Sequence, residues 1–382
     1  MAAAAPLVFD LLPLPKVPPM VTEIIAGILI GPHVLDIAHV DGAVQVLSQI
    51  GLVFLFFLAG LEIAFDADGG RHLRLVGVSF LLSLGLAVIV AHIFDAVDLV
   101  EAPLLVSIVL AATAFGIVVA VLSDAEETGS RFGQLVIAAA SVADFGTVIL
   151  LSLFFSGKGS GVEATIVLLA MFAGLVGVVG LTIWRARSWK RLTAAIARMQ
   201  ETTAQMGVRI AFVLLITLVF LADEFGLEVV LGAFLAGAMV SFLDRDDAVV
   251  STGLKQKLEG VGFGVFIPVF FVASGIRLNL SDLFESPSSA ALVPAVIGAL
   301  LVVRALPALV YRGELGARAA MAAGLLQATS LPFIVAAAQI GVELDKISEA
   351  TAAGLVAGGV LSVLIFPALA LSLLRGERWA SA

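Results

Sequence analysis

Hydrophobic residues fill the chain in long runs, and short stretches with glycine, proline or charged residues separate one run from the next. About 20 apolar residues in helical conformation cross a bilayer core. Most of the runs approach or exceed this length, although the first and the eighth are short. The pattern predicts an all-α polytopic membrane protein with about twelve transmembrane helices. The predicted spans, numbered one to twelve in chain order, are 18–31, 44–65, 72–94, 103–123, 131–156, 163–184, 205–223, 228–243, 258–275, 289–311, 317–340 and 349–374.

The composition supports this class of protein. Hydrophobic residues make up 61% of the 382 positions and charged residues 13%, whereas soluble domains have about 45–50% and about 25%. A soluble enzyme, a disordered chain and a nucleic-acid binder are thereby excluded. The chain has no cysteine, so disulfides, thiolate metal sites and cysteine nucleophiles are excluded too. The net charge of −9 indicates no particular partner, because such sparse charges lie mostly in loops.

The positions of lysine and arginine predict the orientation in the membrane. Seventeen of the 21 lie in loops on one side, Lys158, Arg277 and Lys346 lie on the other side, and Arg304 lies within a span. Positive residues collect on the cytoplasmic side, so we expect both termini in the cytoplasm. We expect 1–15 to form a loop or stub, and the basic loop 185–204 to lie along the cytoplasmic surface.

Two pairs of segments indicate an internal repeat. Residues 51–65 resemble 264–278, and IIAGILIG in span one resembles VLGAFLAG in span eight. Both pairs are seven spans apart, and an odd offset turns the second copy upside down in the membrane. Inverted repeats of this kind are typical of secondary transporters. The alternative is a chance similarity between helices rich in glycine, alanine and phenylalanine.

The same offset pairs span four with span eleven, and both contain a stretch unsuited to a regular helix. These stretches are 112–116 and 327–332. Pro332 lacks a backbone donor and disfavours helix at Leu331. We expect discontinuous helices whose free backbone groups face an ion. The alternatives are a proline kink in span eleven and an ordinary small-residue contact in span four.

Two charged residues lie deep within predicted spans. Asp144 follows Arg131 by thirteen residues, which is about 20 Å along a helix, and Arg304 lies near the middle of span ten. Charges at such depth are functional candidates, and the alternative is a structural ion pair. Glu23 and Glu62 lie nearer span ends, where each is an interfacial anchor or a group that attracts cations.

One buried carboxylate supports an exchange reaction. A proton and a desolvated monovalent cation compete for the same oxygens, because either one neutralises them. Arg304 does not release its own proton, so it compensates the charge of an empty Asp144 without carrying a second proton. We therefore expect electroneutral exchange of about one cation per proton, and no enzymatic activity.

The motifs, in their order, resemble the monovalent cation:proton antiporters, specifically the Kef-type and NapA-like branch of the second cation:proton antiporter family. The resemblance covers about 16–374. It is carried by VTEIIAGILIGP at 21–32, LVFLFFLAGLE at 52–62, AATAFGIVVAVL at 111–122, AAASVADFG at 138–146, IPVFFVASGI at 267–276, VVRALP at 302–307 and GLLQATSLPFIV at 324–335.

The resemblance implies one exchanger domain over 1–374, with crossed discontinuous helices four and eleven, and a cytoplasmic tail at 375–382. It implies a homodimer in a prokaryotic plasma membrane. It divides the domain into core elements at 72–156 and 289–374, dimerisation elements at 18–65 and 205–275, and a linker helix at 163–184.

The resemblance also assigns site residues. It identifies Asp144 as the aspartate that carries the ion and the proton, Arg304 as the compensating basic residue, and Thr113 as part of the unwound stretch. Ser141 is a further candidate for binding the ion. The supporting candidates are Glu23, Glu62, Gln327, Thr329 and Ser330.

The chain departs from the family pattern in three ways. Ala143 stands where many relatives have Asp, Asn or Gln, which agrees with a single titrating carboxylate and removes an oxygen that would hold the site together. We expect a shortened fold without the helix that precedes span one in relatives. We also expect no nucleotide-binding domain of the kind that follows many Kef-type proteins, and so no cofactor beyond transported Na⁺ or K⁺ and H⁺. Two other functions are alternatives to cation:proton exchange: a Kef-like K⁺ efflux protein, and a non-transporting sensor or assembly subunit.

Overall fold

The computed structural model describes residues 18–62, 70–155, 162–186, 205–244, 253–279 and 287–380. The predicted stub at 1–15 lies outside these residues, and so does nearly all of the predicted surface loop at 185–204. Two short π-helical segments, Gly262–Phe266 and Leu301–Ala305, and a 3-10 segment, Pro307–Tyr311, interrupt the α-helices. The α-helices are α1 Pro19–Ile30, α2 Gly42–Leu61, α3 Gly70–Ala96, α4 Pro103–Ala111, α5 Phe115–Asp124, α6 Arg131–Phe155, α7 Val162–Ala186, α8 Met206–Glu224, α9 Val229–Asp244, α10 Leu254–Val261, α11 Ile267–Arg277, α12 Pro287–Leu300, α13 Arg312–Leu315, α14 Ala317–Gln327, α15 Pro332–Glu343 and α16 Glu349–Ala380.

The helices agree with the predicted class of polytopic α-helical membrane protein. In the part of the chain that the structure describes, nine helical stretches are long and apolar enough to cross a membrane. Three shorter apolar helices lie at Pro19–Ile30, Ile166–Thr182 and Val229–Phe242, at the places of predicted spans one, six and eight. The all-α class is confirmed, while the number of twelve spans and the inverted repeat stay predictions.

Each π-helical segment ends two residues before a proline. Gly262–Phe266 precedes Pro268, and Leu301–Ala305 precedes Pro307. A proline has no amide proton to donate, and its ring clashes with the carbonyl four residues earlier. A wider π-turn accommodates both effects without ending the helix. Arg304 lies in the second of these turns.

One compact unit consists of Met1–Val40, Asp66–Thr147 and Phe271–Ala382. Within it, α3 packs against α4, and α16 packs against α12, α14 and α15. This unit contains both discontinuous spans.

The other compact unit consists of Asp41–Phe65 and Val148–Phe270. Its helix α9 packs against α2 and α8. The contact between α9 and α2 depends on glycine, because a Cβ atom at Gly237 would overlap the carbonyl oxygen of Phe57, and one at Gly60 would overlap that of Phe234. Small residues bring membrane helices this close. These two units do not test the predicted division into core and dimerisation elements, which stays a prediction.

Candidate functional site

Predicted span four is discontinuous. Helix α4 ends at Ala111, α5 begins at Phe115, and the three residues between them are non-helical. Ala112 is extended, with ψ of 159°, and Ala114 has ψ of 84°. All three intervening residues are buried, so their backbone groups depend on partners inside the protein. The expectation of a break here is met.

Predicted span eleven is discontinuous as well. Helix α14 ends at Gln327 and α15 begins at Pro332. Leu331 precedes the proline and has the non-helical angles φ −139° and ψ −55°, as expected for a residue before proline. Thr329 and Ser330 lie in the break and are fully buried.

The two breaks are hydrogen-bonded to each other. The Ala114 amide donates to the Thr329 carbonyl at 2.8 Å. The Thr113 hydroxyl donates to the Gln327 carbonyl, also at 2.8 Å. Each break therefore satisfies part of the backbone that the other one exposes, which is the condition for non-helical backbone at membrane depth. The sequence offset paired these two segments but did not specify which atoms meet.

Arg304 joins both breaks. It lies in the π-helical segment Leu301–Ala305 and is 1% exposed. Its Nη2 donates to Thr113 Oγ1 at 2.5 Å and to Gln327 Oε1 at 3.5 Å, and its Nε donates to the Gln327 carbonyl at 3.3 Å. Hydrogen bonds to neutral oxygens thus solvate a buried cation, which would otherwise be very costly.

Asp144 is partly buried on α6, in the same compact unit as Arg304. Its carboxylate attracts the Arg304 guanidinium electrostatically. Ala143 beside it is fully buried, and the Thr147 hydroxyl donates to the carbonyls of Ala143 at 2.8 Å and Asp144 at 3.1 Å. Ser141 is 9% exposed, three residues before Asp144 on the same helix. The Asp144 carboxylate therefore lies close enough to interact electrostatically with Arg304, the predicted compensating residue.

The remaining predicted residues of span eleven, Thr329 and Ser330, form other hydrogen bonds. The Thr329 hydroxyl donates to the Leu325 carbonyl at 3.3 Å. The Ser330 amide donates to Ser362 Oγ at 3.1 Å, and this hydroxyl lies 3.1 Å from the Ser330 carbonyl. Ser362, on α16, was not among the predicted site residues. No feature of the sequence near Ser362 distinguishes it from other serines in apolar helices.

The two glutamates lie in different compact units. Glu23 is 4% exposed on α1, in the unit that contains Asp144. Glu62 follows α2 directly and belongs to the other unit, where Lys255 and Glu259 act on it electrostatically. The supporting roles predicted for them stay predictions.

Within the described ranges, no three His, Cys, Asp or Glu side chains gather as a cluster of metal ligands. Arg304 instead contacts one hydroxyl and two carbonyl oxygens, and one carboxylate, that of Asp144, attracts it. Such hard oxygen donors suit an alkali cation better than a transition metal.

Comparison with known proteins identifies the family. The family model for the transmembrane domain of sodium/hydrogen exchangers matches residues 1–374. The YjbQ protein of Bacillus subtilis is 30% identical over 369 residues, which are 92% of this chain. A Na⁺/H⁺ antiporter of Enterococcus hirae is 28% identical over 279 residues, covering 70% of this chain and 69% of that relative. This chain spans 58% of the length of YjbQ.

The fold is that of a solved antiporter. The structure of the sodium proton antiporter MjNhaP1 from Methanocaldococcus jannaschii at pH 8 aligns with a TM-score of 0.68 and 20% identity. The alignment covers 98% of this chain and 96% of that one. The predicted antiporter fold and the resemblance to cation:proton antiporters are thereby confirmed. The chain belongs to the sodium/hydrogen exchanger family of multi-pass transmembrane proteins.

Proposed function

We propose that this protein is a secondary active transporter that exchanges a monovalent cation, Na⁺ or K⁺, for a proton. One observation supports the proposal most directly. A fully buried arginine is bonded to both discontinuous helices and attracts the carboxylate of Asp144. The similarity to MjNhaP1, a sodium proton antiporter, and to a Na⁺/H⁺ antiporter of Enterococcus hirae agrees with it.

In the proposed cycle Asp144 binds the proton and the cation in turn. When the carboxylate is empty, the positive charge of Arg304 compensates it. A cation that enters replaces this compensation, and a proton that enters does the same by forming an O–H bond. Arg304 keeps its own protons throughout. One carboxylate then exchanges about one cation for one proton, so the exchange moves no net charge.

The other candidate residues supply oxygens around Asp144. Thr113 and Ser141 offer hydroxyls, and the break at 328–331 offers carbonyls. A cation that loses water needs several such ligands at once. We propose that Gln327, Thr329 and Ser330 hold the breaks in shape and that Glu23 and Glu62 attract cations. The transporter is further proposed to be a homodimer in a prokaryotic plasma membrane with cytoplasmic termini.

The proposal is tested with the purified protein in proteoliposomes that contain a pH-sensitive dye. Addition of Na⁺ or K⁺ outside the vesicles should move protons outward, and a voltage clamp with K⁺ and valinomycin in the Na⁺ experiment should leave the rate unchanged. The Asp144→Asn variant should lose this flux. Asp98→Asn is the matched control, because Asp98 is exposed and has φ of 56°, a conformation that Asn tolerates well.

Each result separates one function from another. Flux retained in Asp144→Asn would overturn the role of this carboxylate. A K⁺-selective flux that persists without a pH gradient would favour a Kef-like efflux protein. No flux in the native protein, together with loss of folded protein in Asp144→Asn, would favour a non-transporting subunit with a structural Asp144–Arg304 pair.

A further inference from the structure

Behind Arg304 lies a second group of buried polar side chains, Ser79, Tyr311 and Gln327. Tyr311 is fully buried, and Ser79 and Gln327 are each 1% exposed. Tyr311 ends the 3-10 segment Pro307–Tyr311, seven residues after Arg304. Helix α3, which contains Ser79, packs against this segment and against the π-helical segment of Arg304.

The three side chains meet at the phenol oxygen of Tyr311. Ser79 and Gln327 both act on this phenol as hydrogen-bonding neighbours. None of these pairs reaches full hydrogen-bond geometry, and among the described residues Ser79 Oγ, Tyr311 Oη and Gln327 Nε2 have no other partner. Leaving a buried polar atom unsatisfied costs about 1–3 kcal/mol. Small side-chain rotations that let the three satisfy one another are therefore strongly favoured.

Gln327 connects this group to Arg304. Its Oε1 accepts from Arg304 Nη2 at 3.5 Å, and its main-chain carbonyl accepts from Arg304 Nε at 3.3 Å. With Oε1 toward the guanidinium, Nε2 is the end of the amide that remains for Tyr311, on which the Gln327 side chain acts. The reversed amide would place two N–H donors against a cation. Acceptors at Tyr311 and Ser79 therefore favour the orientation in which Gln327 presents an oxygen to Arg304.

We propose that Tyr311, assisted by Ser79, is a positioning residue that fixes the Gln327 amide and thereby keeps Arg304 engaged with the two helix breaks. This inference rests on the proposed exchange. When Gln327 is fixed, the guanidinium shares its charge with neutral oxygens of the breaks. When Gln327 is free to turn, Arg304 pairs more closely with Asp144 and competes with the incoming cation.

The Tyr311→Phe variant tests the proposal in proteoliposomes with Na⁺ as the probe. The apparent KM for Na⁺ should rise roughly three- to tenfold, the size expected from the loss of one hydrogen bond, while kcat changes by less than about twofold. Ser48→Ala is the matched control, because it removes another fully buried hydroxyl without a partner, in the other compact unit. An unchanged KM in Tyr311→Phe, or an equal rise in Ser48→Ala, would overturn the proposal.

A spectroscopic measurement tests the contact without any transport. Tyr311 is the only tyrosine in the chain, so ultraviolet resonance Raman bands of tyrosine report this phenol alone. Ser79→Ala and Arg304→Lys should change the hydrogen-bond-sensitive bands of the detergent-solubilised protein, and Ser48→Ala should not. Unchanged bands in both variants would refute the positioning role even if the native protein proved not to exchange ions. Changed bands with no exchange by the native protein would instead refute the proposed function and keep the contact.

Discussion

Arg304 combines a full positive charge with a position that is 1% exposed. A cation at that depth stays charged because its N–H groups reach oxygens on both breaks. The sequence predicted the charge and the depth of Arg304 and a relation to Asp144. The hydrogen bonds to Thr113 and Gln327 depend on packing between segments 23 and 191 residues apart. Such bonds cannot be derived from spacing along the chain.

The ionisation of Glu101 should make the stability of the folded protein depend on pH. Its carboxylate accepts a hydrogen bond from Thr351 Oγ1 at 2.8 Å and one from the Ser348 amide at 3.4 Å, at the start of α16. Partial burial acts to raise the pKa of Glu101, but these hydrogen bonds outweigh it and lower the pKa below the ordinary 4.5. The ionised form therefore stabilises the folded protein above pH 4.5, and this contribution is lost as the pH falls through the lowered pKa.

We predict that Glu101→Gln lowers the melting temperature at pH 7, with a loss of about 0.5–1 kcal/mol because the group is largely solvated. The difference from the native protein should shrink as the pH falls from 4.5 through the lowered pKa of Glu101, since both side chains become neutral. Thermal unfolding in detergent at several pH values measures it. Glu126→Gln, at an exposed position, should show no such pH-dependent difference. An effect of Glu101→Gln that stays constant down to pH 3 would contradict the prediction.

At the scale of elements, three of the irregular stretches within spans lie next to a proline. Pro332 predicted the break in span eleven, and the structure has it at that place. The break in span four contains no proline, and the sequence left it open; tertiary hydrogen bonds such as that from Ala114 to Thr329 stabilise it instead. The π-turns before Pro268 and Pro307 were not predicted. A proline in a helical sequence is compatible with a kinked helix, with the end of a helix or with a wider π-turn, and the sequence does not distinguish among them.

The close contact between helices α2 and α9 leads to a prediction about helix packing. Gly237→Ala places a methyl group on the carbonyl oxygen of Phe57, and a backbone oxygen yields only if the two helices separate. We expect a loss of stability of about 1–3 kcal/mol, or more if α9 moves as a whole. Thermal unfolding in detergent measures the change.

Gly174→Ala on α7 is the matched control, since a Cβ atom there meets nothing within 4 Å. Alanine favours helix more than glycine does, so this variant should be as stable as the native protein or slightly more stable. If Gly237→Ala melted at the same temperature as Gly174→Ala, the close helix contact would be refuted.

At the scale of the whole molecule, the distribution of lysine and arginine predicts which loops face the cytoplasm. The chain lacks cysteine, so single cysteines can be introduced without removing native ones. Thr128 lies between α5 and α6 on the predicted inner side, and Val97 lies between α3 and α4 on the predicted outer side. Both are exposed.

We predict that a membrane-impermeant maleimide labels Val97→Cys in intact cells and labels Thr128→Cys only in inverted vesicles. The cysteine-free native protein is the control for background labelling. Labelling of both positions from the same side, or the reverse pattern, would refute the predicted orientation.

The sequence by itself determined the class of protein, the position of most helices and the two buried charges. Hydrophobic run length and the cost of a charge in a bilayer are local properties, so they can be read from the order of residues. Tertiary structure alone decided that the two breaks bond to each other, that Arg304 bridges them, and that Ser79 and Tyr311 stand behind Gln327. These contacts arise because buried polar groups must find partners, and the nearest partners in space are far away along the chain.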